Sequence, residues 1–213
     1  GHEKILTAFS AQEADILVGT QMIVKGHDFP NVTLVGVLAA DMSLYAGDYR
    51  AAERTFELLT QAAGRAGRGK RAGEVVIQTY TPQHYSIAAA AAQNYEQFYE
   101  EEIAFRSIMD YPPVCNMLMV TLSSKNEEQL LAACTFLKEV IPEWKKEQVR
   151  ITGPVAAGVY KRNDYYNQVM YLKATAYEKL TACKDRLETL CRKIHCFAAL
   201  DCSLILIDRK YKI

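Results

Sequence analysis

The sequence has no apolar run that reaches the roughly 18 residues of a membrane-spanning helix. Residues 1–9 also lack the charged and then apolar layout of a signal peptide. Both absences favour a soluble cytoplasmic protein with no membrane partner. Half of the 213 residues are apolar, so the chain can bury the core of one large domain or two small ones.

The sequence also contains neither a GxxxxGK[S/T] loop nor a DExH-like acidic motif. Proteins that split ATP use such motifs to cradle the β-phosphate and to hold Mg²⁺. We therefore expect negligible ATP hydrolysis by this chain alone.

The six cysteines form no CxxC pair, which argues against the common paired-cysteine zinc motifs. Most of them lie in apolar stretches, where cysteine behaves as a small hydrophobic residue. We therefore expect reduced thiols and no metal site. A metal site formed by Cys191, His195, Cys196 and Cys202 remains an alternative, although this set straddles a predicted helix end and fits no standard zinc spacing.

The formal net charge of zero conceals an asymmetry between the two halves of the chain. Residues 1–111 carry 9 Lys and Arg against 14 Asp and Glu, a net charge of −5, whereas residues 112–213 carry 16 against 11, a net charge of +5. A positive C-terminal half hints at a polyanion or an acidic partner, although charged side chains usually only solvate a surface.

The first half of the chain alternates between helical and strand patterns. Helical periodicity covers residues 2–14 and 49–63, and apolar runs at 16–20, 32–38 and 73–79 predict strands. The run at 32–38 is continuous, as in a parallel strand that is covered on both faces. The first half is therefore predicted to be an α/β domain with a parallel sheet and flanking helices.

Residues 84–109 read as one long Ala-rich helix that ends before Pro112 and Pro113. We therefore predict a first domain at 1–83, a linking helix at 84–111 and a second domain at 112–213. The order of elements in the second domain is βαββαβ, the split βαβ layout of ferredoxin-like folds. Its predicted strands are 114–123, 149–161, 166–174 and 197–207, and its predicted helices are 126–139 and 177–194.

The strongest chemical signal is QAAGRAGR at residues 61–68, followed by a glycine-rich turn and a strand. Arg65 and Arg68, three residues apart, would share one side of a helix, so that both guanidinium groups reach one phosphate. An arginine that stabilises charge on a transferred phosphoryl group acts in this way. A basic helix end that is stopped by glycines explains the same pattern without ATP.

A second polar segment, TQMIVKGHDFPNV at residues 20–32, lies between two predicted strands. Loops that follow the carboxyl ends of parallel strands often hold ligands. This loop offers a hydroxyl at Thr20, an amide at Gln21, a cation at Lys25 and a close-approach glycine at Gly26. A plain connection with a turn at Gly26 is the alternative interpretation.

Residues 15–32 and 58–79 resemble motifs V and VI of superfamily 2 helicases, with matching spacing and strand context. DYRAAER at 48–54, the YPP break at 111–113 and GPVA at 153–156 further resemble the PriA family of bacterial replication-restart helicases. This resemblance implies a partial RecA-like helicase lobe 2 followed by a ferredoxin-like, S10-like C-terminal domain. It also implies that the chain is a fragment whose nucleotide-binding lobe lies elsewhere in the parent enzyme.

The resemblance implies a role for each matching residue. Arg65 and Arg68 would face the γ-phosphate of ATP, supported by Gln61. Asp28 and Gly26 would lie near the nucleotide, whereas Thr20, Gln21 and Lys25 would contact DNA. Position 62 is alanine where relatives often have arginine, and residues 200–207 depart from the DxDP-type tail of the family, so contacts made at these two places are in doubt.

In the second domain, a predicted hairpin alternates aromatic rings and cations. Lys161, Arg162, Tyr165 and Tyr166, with Tyr160, Tyr171 and Lys173 nearby, could stack on unpaired bases and follow a nucleic-acid backbone. The resemblance makes this hairpin a candidate contact for forked or single-stranded DNA and for single-strand-binding protein. Tyrosines in the core with solvated cations, and a packing role for Trp144, are equally compatible with the pattern.

The resemblance thus implies part of an ATP- and Mg²⁺-dependent 3′→5′ DNA helicase that recognises stalled forks and restarts replication with other primosome proteins. The zinc ligands of the family would lie outside this chain. Two other functions remain open: a non-enzymatic nucleic-acid- or protein-binding module, and another superfamily 2 translocase. The βαββαβ domain argues against the second of these.

Overall fold

The structure is a computed structural model that describes residues 2–20, 29–67, 72–141, 148–198 and 201–207. The chain forms two compact units, Gly1–Glu102 and Ile103–Ile213. The boundary lies inside a helix, so the domain limits at residues 83 and 111 stay predictions.

Among its described residues, the first unit contains a small parallel sheet and four helices, and a fifth helix crosses the boundary between the units. Helix α1 spans His2–Ser10, strand β1 spans Leu34–Val37, and strand β2 spans Glu74–Ile77. The two strands pair in parallel, with Leu34 opposite Glu74 and Val37 opposite Ile77. The other helices are α2 (Asp41–Leu44), α3 (Ala51–Ala63), α4 (Tyr85–Ala91) and α5 (Tyr95–Met109). The predicted combination of a parallel sheet with helices is confirmed.

Two expectations for the strands of this unit are wrong. Residues 16–20 form no strand, and Ile16 and Val18 are 80% and 85% exposed. An apolar run becomes a strand only when a neighbouring strand completes its hydrogen bonds, and in the described residues β1 and β2 pair only with each other. In the described part of the chain the run at 32–38 is also not covered on both faces. Helix α3 packs on one side, while Leu34 and, on the neighbouring strand β2, Val76 are 59% and 51% exposed.

The long helix predicted at 84–109 is interrupted. Gln93 has a left-handed φ of 51°, and the Gln93 and Asn94 N–H groups donate to the carbonyls of Ala90 and Ala89. This pair of bonds is the Schellman motif, which ends a helix. The Asn94 Oδ1 atom then accepts from the Gln97 N–H at 3.0 Å and caps the start of α5. One break therefore divides the segment into α4 and α5.

The second unit is a four-stranded antiparallel sheet with two helices. Its elements are β3 (Asn116–Ser124), α6 (Glu127–Val140), β4 (Arg150–Arg162), β5 (Tyr165–Ala174), α7 (Tyr177–Ala198) and β6 (Asp201–Ile207), which confirms the predicted βαββαβ order. The strand order is β4-β5-β3-β6. Each βαβ unit is therefore split by a strand of the other, as in ferredoxin-like folds.

The core of the second unit lies between one face of the sheet and the two helices. Alternate residues of β3, such as Leu118 and Leu122, are fully buried. Leu130 of α6 and Leu187 of α7 pack in the same cluster. Every second residue of a strand faces the same side, and residues three or four apart share one face of a helix, so these side chains meet in one core.

Candidate functional site

The segments with the two predicted motifs meet at the amino ends of β1 and β2. The Gly67 N–H donates to the Val32 carbonyl at 3.1 Å. The Glu74 N–H donates to the Thr33 carbonyl at 2.8 Å and continues the pairing of the two strands. The described end of the polar loop at 20–32 therefore touches the end of the QAAGRAGR segment.

Helix α3 carries the arginine-bearing segment towards this place. The Asp48 Oδ1 atom accepts from the Arg50 N–H at 3.1 Å, and Asp48 forms an ion pair with Arg54 at 2.7 Å, which fixes the entry of the helix. Phe56 and Leu59 are buried, whereas Gln61 is exposed. The amphipathic pattern of α3 thus leaves Gln61 accessible on the outer side.

Arg65 does not lie on a helix, which corrects the argument from helical spacing. Helix α3 ends at Ala63, and the Arg65 N–H donates to the Ala62 carbonyl in the turn that follows. Gly67 ends this turn with a φ of +72°, a conformation that glycine adopts without strain. Arg65 is half-buried there.

Several predicted site residues cannot be compared with the structure. Arg68, Gln21, Lys25, Gly26 and Asp28 lie outside the described residues, as does Trp144. Thr20 is described, is exposed and belongs to no regular element. The roles of all these residues stay predictions.

Asp41, which was not predicted from the sequence, joins the segments that follow β1 and β2, at the carboxyl ends of the two strands. Its carboxylate accepts from the Thr81 and Thr79 hydroxyls at 2.6 and 2.7 Å and from the Tyr80 N–H at 3.0 Å. These bonds, that from Thr81 most strongly, hold the pKa of Asp41 well below its usual range. A buried carboxylate with three donors fixes α2 to the chain after β2, which is a structural role.

The hairpin between β4 and β5 brings most of its predicted residues together. Asn163 and Asp164 both have positive φ angles, as a two-residue turn of type I′ requires. The Lys161 Nζ atom lies 4.6 Å from the Tyr166 ring centroid and donates to the Tyr166 hydroxyl at 3.2 Å, a bond that raises the pKa of Lys161. Arg162 is exposed, and Tyr165 is half-buried.

Two neighbours of this hairpin were not foreseen. The Lys125 Nζ atom lies 5.4 Å from the centroid of the Tyr165 ring. The Tyr160 hydroxyl donates to Glu127 at 2.6 Å, which raises the pKa of Tyr160. The tip of the hairpin therefore presents two tyrosine rings, each with a lysine ammonium beside it.

Lys173 does not belong to this surface. Its ammonium donates to the Met109 carbonyl at 2.8 Å and lies 3.9 Å from the centroid of the Tyr111 ring. Burial lowers the pKa of Lys173. Met109 is the last residue of α5 and Tyr111 lies two residues further along the chain, so Lys173 serves as a cap of that helix.

The four described cysteines, Cys115, Cys134, Cys183 and Cys191, are buried thiols. Burial raises the pKa of Cys134 to about 11, which makes the reactive thiolate rare at neutral pH. The described side chains include no group of three or more His, Cys, Asp or Glu residues placed to hold a metal ion. The side chains of His195, Cys196 and Cys202 lie outside them, and the alternative metal site is therefore untested.

In the part of the chain that the structure describes, no helix combines the length and apolarity needed to cross a membrane.

Two family models match the chain in succession. The helicase conserved C-terminal domain matches residues 1–70, and the primosomal protein N C-terminal domain matches residues 107–196. Among solved structures, a putative aminohydrolase from methicillin-resistant Staphylococcus aureus aligns at 9% identity with a TM-score of 0.32, over 76% of this chain and 52% of the other. A similarity at that level supports no inference.

Curated relatives match most of the chain. The replication restart protein PriA of Bacillus subtilis is 48% identical over 185 residues, which cover 85% of this chain and 22% of the relative. Those of Synechocystis and Chlamydia muridarum are 37% and 39% identical, over 89% and 81% of this chain and 23% of each relative. The chain spans about a fifth of the length of these relatives. With both family models in order and this level of identity along most of its length, the chain belongs to the PriA family.

Proposed function

We propose that this chain is the C-terminal part of an ATP-dependent 3′→5′ DNA helicase that recognises stalled forks and restarts replication by primosome assembly. In this proposal the first unit supplies the arginines that act on ATP, and the second unit binds DNA and partner proteins. The observation that carries the proposal is the hydrogen bond between Gly67 and Val32, because it joins the arginine-bearing segment to the predicted DNA-binding loop.

The residues of the first unit fit a role beside a nucleotide that is held elsewhere. Half-buried Arg65 follows the end of α3, and Gln61 is accessible one helical turn earlier. Guanidinium groups in this position would stabilise charge on the transferred phosphoryl group. ATP and Mg²⁺ would be bound by the remaining part of the enzyme, as would zinc.

The experiment uses a chimaera in which this chain replaces the matching fifth of the Bacillus subtilis relative. We expect DNA-stimulated ATP hydrolysis, and a fall in kcat of about 10³-fold or more on Arg65→Ala or Arg68→Ala. Arg192→Ala, at an exposed position of α7, is the matched control and should leave turnover unchanged. A folded chimaera that hydrolyses ATP equally well without both arginines would contradict the proposal.

For the second unit we propose binding of forked and single-stranded DNA through the hairpin tip, with single-strand-binding protein and other primosome proteins as partners. The support is the pairing of Tyr165 and Tyr166 with Lys125 and Lys161. Rings can stack on bases while ammonium groups meet the backbone.

A non-enzymatic binding module is the second candidate, favoured by the charge of +5 on residues 112–213. It predicts salt-sensitive binding of forked DNA by the isolated chain, which Lys161→Ala and Arg162→Ala weaken. Under this candidate, arginine changes in the first unit have no effect on ATP turnover in the chimaera. The two candidates are therefore separated by the response to Arg68→Ala.

A further inference from the structure

Gly73, which follows the QAAGRAGR segment at 61–68, packs its backbone against the peptide that joins Ala66 to Gly67. A Cβ atom placed on Gly73 would overlap the Gly67 nitrogen and the Ala66 carbonyl carbon, and would lie 2.7 Å from the Ala66 Cβ atom. A Cβ atom on Gly67 would lie 2.6 Å from the Gly73 nitrogen. The two glycines therefore face each other with no room for a side chain on either.

The Ala66–Gly67 peptide is also held by hydrogen bonds to the segment before β1. The Gly67 N–H donates to the Val32 carbonyl, and the Glu74 N–H, one residue after Gly73, donates to the Thr33 carbonyl. Val32 and Thr33, the two residues before β1, thus accept one hydrogen bond from each side of the contact between the glycines. Both hydrogen bonds join backbone groups, and both glycines contribute only backbone atoms to the contact.

This contact, which we call the glycine clasp, lies beside the arginine segment. Arg65 directly precedes Ala66, and Arg68 directly follows Gly67. Any shift of the Ala66–Gly67 peptide must therefore displace the main chain from which both arginines extend. Displacing a catalytic group by about 1 Å can cost about 10²-fold in rate.

We propose that Gly73 is a positioning residue for ATP hydrolysis, which acts by holding the Ala66–Gly67 peptide and thereby the arginines on either side. The inference rests on the proposed function of Arg65 and Arg68. Gly73 itself touches no nucleotide in this proposal.

Alanine at either glycine would disturb the clasp, and Gly73→Ala is the better probe of the two. Gly67 has a φ of +72°, so alanine there would add backbone strain to the steric overlap. The φ angle of Gly73 lies outside this positive range, so alanine there tests the steric overlap without left-handed backbone strain. Gly36→Ala is the matched control, because a Cβ atom on Gly36 meets nothing within 4 Å.

In the chimaera, Gly73→Ala should lower kcat about 10- to 100-fold, while the KM for ATP changes by less than about 2-fold. This split is expected because the arginines act in the transition state. Gly36→Ala should match the parent. In a background of Arg65→Ala and Arg68→Ala, Gly73→Ala should have no further effect beyond about 2-fold, because the groups that it positions are gone.

If Gly73→Ala lowers kcat by the same factor in the presence and in the absence of the two arginines, the positioning role is wrong. It is also wrong if Gly73→Ala leaves kcat unchanged while Arg68→Ala abolishes activity. Unchanged turnover in Arg65→Ala and Arg68→Ala would overturn the proposed function itself, which is a different result. Thermal melting reports folding. If Gly73→Ala does not fold, Ala66→Val, which enlarges the other side of the clasp, must give the same kcat-selective loss.

Discussion

The Lys173 ammonium donates a hydrogen bond to the Met109 carbonyl, 64 residues earlier in the chain, and lies over the Tyr111 ring. A cation at this place meets the unsatisfied carbonyls and the negative end of helix α5. We expect Lys173→Met to lower the free energy of unfolding by about 1 kcal/mol, because methionine keeps the apolar stem without the donor. Urea unfolding measures the change, and Lys193→Met, at an exposed position of α7, should be neutral.

Gln93 adopts the left-handed conformation between α4 and α5. Gln93→Gly should raise the free energy of unfolding by about 0.5–1 kcal/mol, since glycine adopts this φ without a steric penalty. Gln97→Gly, within α5, should lower it by about 1 kcal/mol. Equal effects of the two changes in urea unfolding would show that the φ angle at Gln93 is not the cause.

Asn94→Ala should lower the free energy of unfolding by about 1 kcal/mol, because the side chain accepts from the Gln97 N–H at the start of α5. The measurement is urea unfolding of the chain followed by circular dichroism. Asn94→Asp retains the acceptor and should remain close to the parent. A similar loss in Asn94→Asp would point to a cause other than capping.

Asp41 links stability to pH. Because its pKa is held below the unfolded value of about 4, the stabilisation is present above that value and is lost as the pH falls through the folded pKa. Asp41→Asn should therefore lower the melting temperature at pH 7, and the difference from the parent should shrink on acidification below about pH 4. A constant difference between pH 7 and pH 3 would contradict this linkage.

The Tyr85 hydroxyl donates to Glu102 at 2.5 Å, and Glu102 is fully buried. Tyr85→Phe removes that donor from a buried carboxylate and should cost about 1–3 kcal/mol of unfolding free energy. Tyr99→Phe is the control, because Tyr99 is 42% exposed on α5. Comparable losses in the two variants would show that the buried hydrogen bond contributes little.

The sequence predicts elements well where local pattern and tertiary packing agree. The helix predicted at 49–63 is found as α3 at 51–63, because its apolar positions recur at helical spacing. The order of elements after residue 112 follows from strands with clear turn signals such as Asn163 and Asp164. The hairpin placed Lys161 beside Tyr166 as its alternation indicated.

The remaining features depend on contacts between distant residues. The run at 16–20 has the composition of a strand but no partner among the described residues, and composition does not reveal the partner. Lys173 looked like part of the hairpin, although its partners are at the end of α5. The role of Gly73 is also hidden, because its backbone contact with Gly67 is visible only in three dimensions.

The strand order β4-β5-β3-β6 places the first strand of the second unit next to the last, with Val120 opposite Leu204. Such a pairing closes a long loop, and sheets that depend on distant partners form slowly. During synthesis on the ribosome, β3 must wait for nearly the whole unit to emerge before it gains this neighbour. Until then one side of β3 presents unpaired backbone groups, so the nascent unit is most open to mispairing or chaperone capture in that interval.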